Sequence, residues 1–259
     1  MKKLLLFVSL LTVFSFSIQA QTADEIINHY LENIGGQEKL AKLKGLHVKT
    51  KVLMQGMEIP VEMFMYNNGA KLVKMTFQGK EITQMAFDGE QAWGTNMMNQ
   101  KAEKLDKETT DNLKINAKGE FPNPFLNYKK KGYKVELLGK EEIEGTECFK
   151  IKLTELPTMK NGKEIPSQMY YYFDTENYVP IVVETEITEG PYQGKKTQQV
   201  YSDYQEVDGL YFPFATTMKL GGNAFQTIKI DKIELNPEFN KANFKFPEES
   251  NKETKKQEK

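Results

Sequence analysis

The sequence predicts one mainly β domain: a strongly curved antiparallel sheet or open barrel of eleven or twelve strands, with N-terminal helices and a helical insertion. Three observations predict it. Apolar residues recur with period two from Leu46 to Leu235, broken once in the middle. The links between these runs are turn sequences too short for crossover helices, so neighbours pair antiparallel. Finally, about a dozen strands in succession exceed what a flat twisted sheet carries without curling.

Residues 1–20 read as a secretory signal peptide. Lys2 and Lys3 precede the apolar run Leu4–Phe16, and Ser17-Ile18-Gln19-Ala20 supplies the exit, with cleavage after Ala20. The run is shorter than the roughly 20 residues needed to cross a bilayer. No later stretch is as apolar, so the mature chain is expected not to insert stably into a membrane. Cys148 is the only cysteine, which excludes a disulfide within the chain and a lipid anchor near the cut. The domain is expected over residues 21–247, and the charged segment 248–259 reads as a disordered tail.

Ala23–Ile34 reads as an amphipathic helix with Thr22 as N-cap, Ile26, Ile27, Tyr30, Leu31 and Ile34 as its stripe, and Gly35-Gly36 as its stop. A short helix follows at Gln37–Leu43. The first strands are Leu46–Met54, Met57–Tyr66, Lys71–Gln78, Glu81–Phe87 and Gln91–Asn96, divided by turns such as Gln55-Gly56 and Gly79-Lys80. After the break come Tyr133–Gly139, Thr146–Thr154, Gln168–Asp174, Val179–Thr188, Lys196–Gln205, Tyr211–Leu220 and Phe225–Leu235. The break itself, Lys101–Lys131, holds a helix-like stretch Asp106–Ala117 and then Phe121-Pro122-Asn123-Pro124-Phe125-Leu126, whose prolines forbid a regular element. An insertion of this length serves either as a lid or as a surface excursion capping one end.

One strand face stands out. Met57, Ile59, Val61, Met63 and Met65 alternate with Glu58, Pro60, Glu62, Phe64 and Tyr66, and Val73, Met75, Phe77, Met85 and Phe87 continue the pattern. Of the eleven methionines beyond residue 20, eight lie between Met54 and Met98. Thioether side chains mould themselves around guests of differing shape. The face has two readings: ordinary core under the helices, or a surface for an oily ligand where helices are too few to fill a concave sheet.

Signals for other functions are weak. Net charge is −1, or −3 without Lys2 and Lys3, and every basic residue is lysine, which argues against nucleic acid and against bidentate anion capture. His29 and His47, the only histidines, have no metal-site spacing, and no serine sits in a nucleophile elbow. Neither a cofactor nor a catalytic residue is expected.

Four segments stand out together: Ala23–Ile27 through Gly35–Leu40, Ala86-Phe87-Asp88-Gly89-Glu90-Gln91-Ala92-Trp93, Leu138–Glu141 to Glu147–Ile151, and Tyr204–Phe214. In order and spacing they resemble the LolA-like outer-membrane lipoprotein-sorting proteins, within the wider LolA/LppX-type superfamily, of Bacteroidetes-type bacteria. The resemblance implies an incomplete antiparallel barrel, its concave apolar face covered by helices. It also implies a non-enzymatic, monomeric periplasmic carrier or chaperone for the acyl chains of lipoproteins or other lipids. The implied partners are an inner-membrane release complex and an outer-membrane acceptor. A sensor or adaptor docking a protein partner is the alternative on the same fold, and a small-molecule enzyme is a third.

On this reading the ligand-facing residues are Val52, Met54, Ile59, Val61, Met63, Met65, Val73, Met75, Phe77, Met85, Phe87 and Trp93, and the lid residues are Leu113, Ile115, Phe121, Phe125 and Leu126. The arginine latch implied by the family has no counterpart here, since the chain contains no arginine. Lys49 or Lys51 is the nearest candidate substitute.

Overall fold

A computed structural model of the protein describes residues 21–247, so the expected signal peptide and charged tail lie outside the described residues. Helix α1 (Ala23–Asn33) begins in a reciprocal capping box. The Thr22 hydroxyl accepts from the Glu25 N–H and the Glu25 carboxylate accepts from the Thr22 N–H. Its buried stripe is Ile26, Ile27, Tyr30 and Leu31. Gly35 then stands at φ +115°, and a Cβ there would lie 2.3 Å from the Gly209 carbonyl oxygen, so only glycine admits this contact. Helix α2 (Gln37–Ala41) is shorter than the seven residues expected and delivers Leu40 to the core.

The strands follow in two runs. The first is β1 (Gly45–Met54), β2 (Met57–Tyr66), β3 (Lys71–Phe77), β4 (Lys80–Phe87), β5 (Ala92–Thr95) and β6 (Ala102–Lys104). Helix α3 (Lys107–Glu120) and an irregular segment lead to the second: β7 (Lys134–Ile143), β8 (Thr146–Thr154), a small hairpin of β9 (Thr158–Lys160) and β10 (Lys163–Ile165), β11 (Gln168–Asp174), β12 (Pro180–Glu186), β13 (Lys196–Val207), β14 (Leu210–Leu220) and β15 (Asn223–Leu235).

Thirteen strands form one antiparallel sheet in the order β6-β5-β4-β3-β2-β1-β15-β14-β13-β12-β11-β8-β7, with β9 and β10 paired apart from it. The first and last strands join two meanders. The free edges are β6 and β7, and the sheet is not closed. Register shifts at Lys49/Thr50, Val73/Lys74 and Met218/Lys219 mark bulges, which bend strands and increase twist. Strand β6 and the β9–β10 hairpin were not expected, because three-residue strands are too short to show an alternation.

This topology dictates the path of the insertion. The chain leaves the sheet at one free edge and re-enters at the other, so α3 and residues 121–133 must span the gap between them. The principal core packs α1 and α2 against Leu46 and Val48 of β1, Phe149, Ile151 and Leu153 of β8, and Phe173 of β11. Phe125, Leu126, Tyr128 and Tyr133 of the irregular segment belong to it. Two smaller clusters cover the outer face of the sheet, one around Trp93 and Phe244 and one around Cys148, Tyr172 and Val182.

Candidate functional site

Antiparallel pairing puts paired residues on the same face, so register identifies the concave surface. Val48 lies in the principal core and pairs with Met63, Thr50 with Val61, and Val52 with Ile59. From β2 the face continues through Met63↔Val73 and Val61↔Met75, then Val73↔Met85 and Lys71↔Phe87. On the other side of β1, Val52 pairs with Ile228 and Val48 with Ile233. Eleven of the twelve residues expected to face a ligand therefore share one surface.

Trp93 does not share it. It pairs with Ala86 on the opposite face, sits with Tyr66 and Leu72, and donates its indole N–H to the Phe244 carbonyl at 2.8 Å. The tight Asp88-Gly89 turn sets which residues pair: Phe87 opposite Ala92 sends the indole outward. Lys49 and Lys51 also point outward, to Glu62 at 3.5 Å and Glu58 at 3.0 Å, so neither serves as a latch on the concave side.

The concave face is unevenly covered. Near Leu46 it is packed by the helices. Beyond Thr50 it is half-buried: Val52, Met54, Val61, Met63, Val73, Met75, Phe77 and Met85 all keep solvent contact, while Ile59 is buried and Met57 at the rim is 44% exposed. A cavity of about 180 Å³ lies between Leu46, Met65 and Phe87 of the sheet and Leu113, Ala117 and Phe121 of the insertion. It falls short of the roughly 300 Å³ at which small-molecule sites begin.

The expected lid residues divide into two groups. Phe125 is 1% exposed, edge-on to Tyr30, Tyr171 and Phe173 with centroids 6.0, 4.7 and 5.5 Å away, and Leu126 is buried beside it. These two are fixed parts of the core, and Phe121 packs on its margin. Leu113 and Ile115 on α3 are half-buried and belong to no core cluster.

Polar contacts at its two ends hold α3. At the start, Asp106 caps the helix, Glu108 accepts from the N–H groups of Asn161 and Gly162 at 2.8 and 2.9 Å, and Asn112 exchanges two hydrogen bonds with Met159. At the end, Lys71 faces Glu120 at 3.9 Å. There too the Lys131 ammonium donates to the carbonyls of Gly119 and Asn123 at 2.7 and 2.8 Å. Burial holds Lys131 down at about 8, partly offset by the Glu155 carboxyl nearby. Lys131 therefore fastens the end of α3, and nothing in its sequence context, Lys129-Lys130-Lys131, distinguishes it from its neighbours.

No protein-family model matches the sequence, and no curated protein does. Solved structures match. A domain named for outer-membrane lipoprotein sorting, from Vibrio parahaemolyticus, is 11% identical over 85% of this chain and 94% of its own, with a TM-score of 0.52. A LolA superfamily protein from Nitrosomonas europaea is 15% identical over 87% of this chain and 98% of its own, with a TM-score of 0.53. The fold is LolA-like. In that LolA-like frame the four resembling segments occupy defined places: Gly35 and the Gly209 turn touch each other, Ala86–Trp93 forms the β4–β5 turn, and Glu147–Ile151 lies in β8.

The only cysteine offers no reactive thiol. Cys148 is fully buried on the outer side, and burial pushes its thiol up to about 11.

Proposed function

We propose that the mature chain is a periplasmic carrier that holds the acyl chains of lipoproteins or other lipids against its concave face, for sorting to the outer membrane. One observation carries this reading: a methionine-rich, half-buried face, with Lys71 and Lys80 only at its margins, lies in a sheet whose open side is crossed by a helix fastened mainly at its ends. The present cavity is smaller than a ligand site requires, so loading involves displacement of α3 while Phe125 and the core beneath it stay in place. The name of the similar Vibrio domain supports the reading through shared fold, which by itself does not choose a cargo. On this account segment 1–20 directs export, the carrier acts as a monomer without catalysing a reaction, and an inner-membrane release complex and an outer-membrane acceptor bracket the transfer.

The test is binding of a neutral hydrophobic fluorophore and of acyl lipids to purified mature protein. Met63→Lys and Met75→Glu place a charge on the face, where an unpaired buried charge is strongly disfavoured. Each is expected to abolish loading while the β-type circular dichroism is retained. Wild-type loading by both folded variants would remove this face from consideration.

A further inference from the structure

The concave face is chemically two-sided. On β1 to β4 it is hydrocarbon and thioether apart from Thr50, Lys71 and Lys80. Across β15, β14 and β13 the same surface interleaves polar side chains with apolar ones: Ile228 pairs with Thr216, Met218 pairs with both Gln226 and Gln199, and Thr216 pairs with Tyr201. Next to these, the hydroxyls of Thr185 and Thr197 lie 2.6 Å apart. Since Val52 pairs with Ile228, the methionine-lined and polar halves belong to one continuous surface.

These polar groups are half-buried, and protein partners leave part of their hydrogen-bonding capacity to water. Gln199 accepts from the Tyr201 hydroxyl at 3.0 Å through its carbonyl oxygen, which directs its NH₂ elsewhere. The Thr216 hydroxyl and the Gln226 amide make no hydrogen bond to protein among the described residues. Their free polar atoms keep contact with water, so a ligand group that covers them must replace the hydrogen bonds that water supplies. None of these positions carries a charge, and burial pushes the Tyr201 phenol up to about 12, so it too stays neutral. Charged side chains of these strands lie on the outer face, where Lys196 of β13 pairs with Glu184 at 2.7 Å and Lys219 of β14 with Glu144 at 2.6 Å.

We propose that Gln199, Thr216 and Gln226 form a head-group subsite, and that the cargo is an amphiphile whose polar portion is uncharged and presents ester, amide or hydroxyl groups. The inference rests on the carrier reading and adds the chemistry of the head. The subsite on β14 lies three strand spacings from β2, about 14 Å along the sheet, so one lipid spans both halves. An anionic head would meet no cation among these side chains and would lose its hydration without compensation.

The experiment compares two lipids with the same chains, 1,2-dioleoylglycerol and dioleoylphosphatidylglycerol, each supplied from cyclodextrin, as competitors for 1-N-phenylnaphthylamine bound to the mature protein. Dioleoylglycerol is expected to displace the dye at a concentration at least tenfold lower. Gln199→Leu combined with Thr216→Val is expected to erase that preference, the displacement midpoints being corrected for the variant's own dye affinity. Equal displacement by the two lipids, or preference for the anionic one, overturns the head-group subsite even if the double variant fails to fold, and leaves the carrier reading intact. A folded double variant that keeps the preference overturns it equally. Failure of the dye and both lipids to bind overturns the carrier reading, and the subsite with it.

Discussion

Phe125 and Ile115 lie ten residues apart in the same insertion, yet the structure assigns them opposite energetic roles. Phe125 is 1% exposed and makes edge contacts with three aromatic rings, so Phe125→Ala removes a fully buried side chain and leaves a cavity that rigid neighbours cannot fill. That costs about 4 kcal/mol. Ile115 is half-buried on a helix outside every core cluster, so Ile115→Ala loses only part of its transfer energy and gains helix propensity. The net cost is about 1 kcal/mol or less. Urea unfolding followed by the fluorescence of Trp93, the one tryptophan, reads both variants, because the indole sits on the outer face away from the cavity. With an m-value of about 2 kcal/mol/M, the Phe125→Ala midpoint falls by about 2 M and that of Ile115→Ala by no more than about 0.5 M. Equal losses for the two variants would refute the division of the insertion into a fixed core segment and a displaceable helix.

Other outcomes follow from single contacts. Lys131 surrenders its proton near pH 8 in the folded protein but near 10.5 in the unfolded chain, so between these values the unfolded chain binds more protons and stability rises with pH. The stability of wild type relative to Lys131→Met should therefore increase from pH 7 to pH 10 in urea titrations, and a flat or falling difference would refute the buried placement of the ammonium. Trp93→Phe removes the indole hydrogen bond to Phe244 and should cost about 1 kcal/mol in thermal or urea unfolding, with lipid loading unchanged. A loading defect in that variant would place Trp93 at the ligand after all.

Much of the fold was legible in the sequence because the relevant signals are local. Thr22 and Glu25 spell the capping box of α1, and the alternation in Met57–Tyr66 matches β2 residue for residue. The same alternation correctly grouped eleven apolar positions on one surface, since period-two patterning and antiparallel register encode the same fact. What was not legible depends on contacts between distant segments. The side of the sheet occupied by Trp93 follows from how the Asp88-Gly89 turn sets pairing and from Phe244, some 150 residues later, which covers it. That Phe125 is core while Leu113 is not depends on where the insertion meets α1 and β11, and in the sequence both are simply apolar residues of one insertion. Lys131 is one of three consecutive lysines, and only the carbonyls of Gly119 and Asn123 single it out. The polar stripe of Gln199, Thr216 and Gln226 was equally hidden, because these residues lie on three strands and converge only through register.

The carrier account stands most directly on what the protein holds when it leaves the cell. Native mass spectrometry of the chain purified gently from a bacterial envelope, paired with analysis of its organic extract, measures this without a chosen probe. Acyl lipid at close to one molecule per chain, lost in Met63→Lys, is the expected result. Consistently bare protein that also takes up no lipid when it is supplied would contradict it.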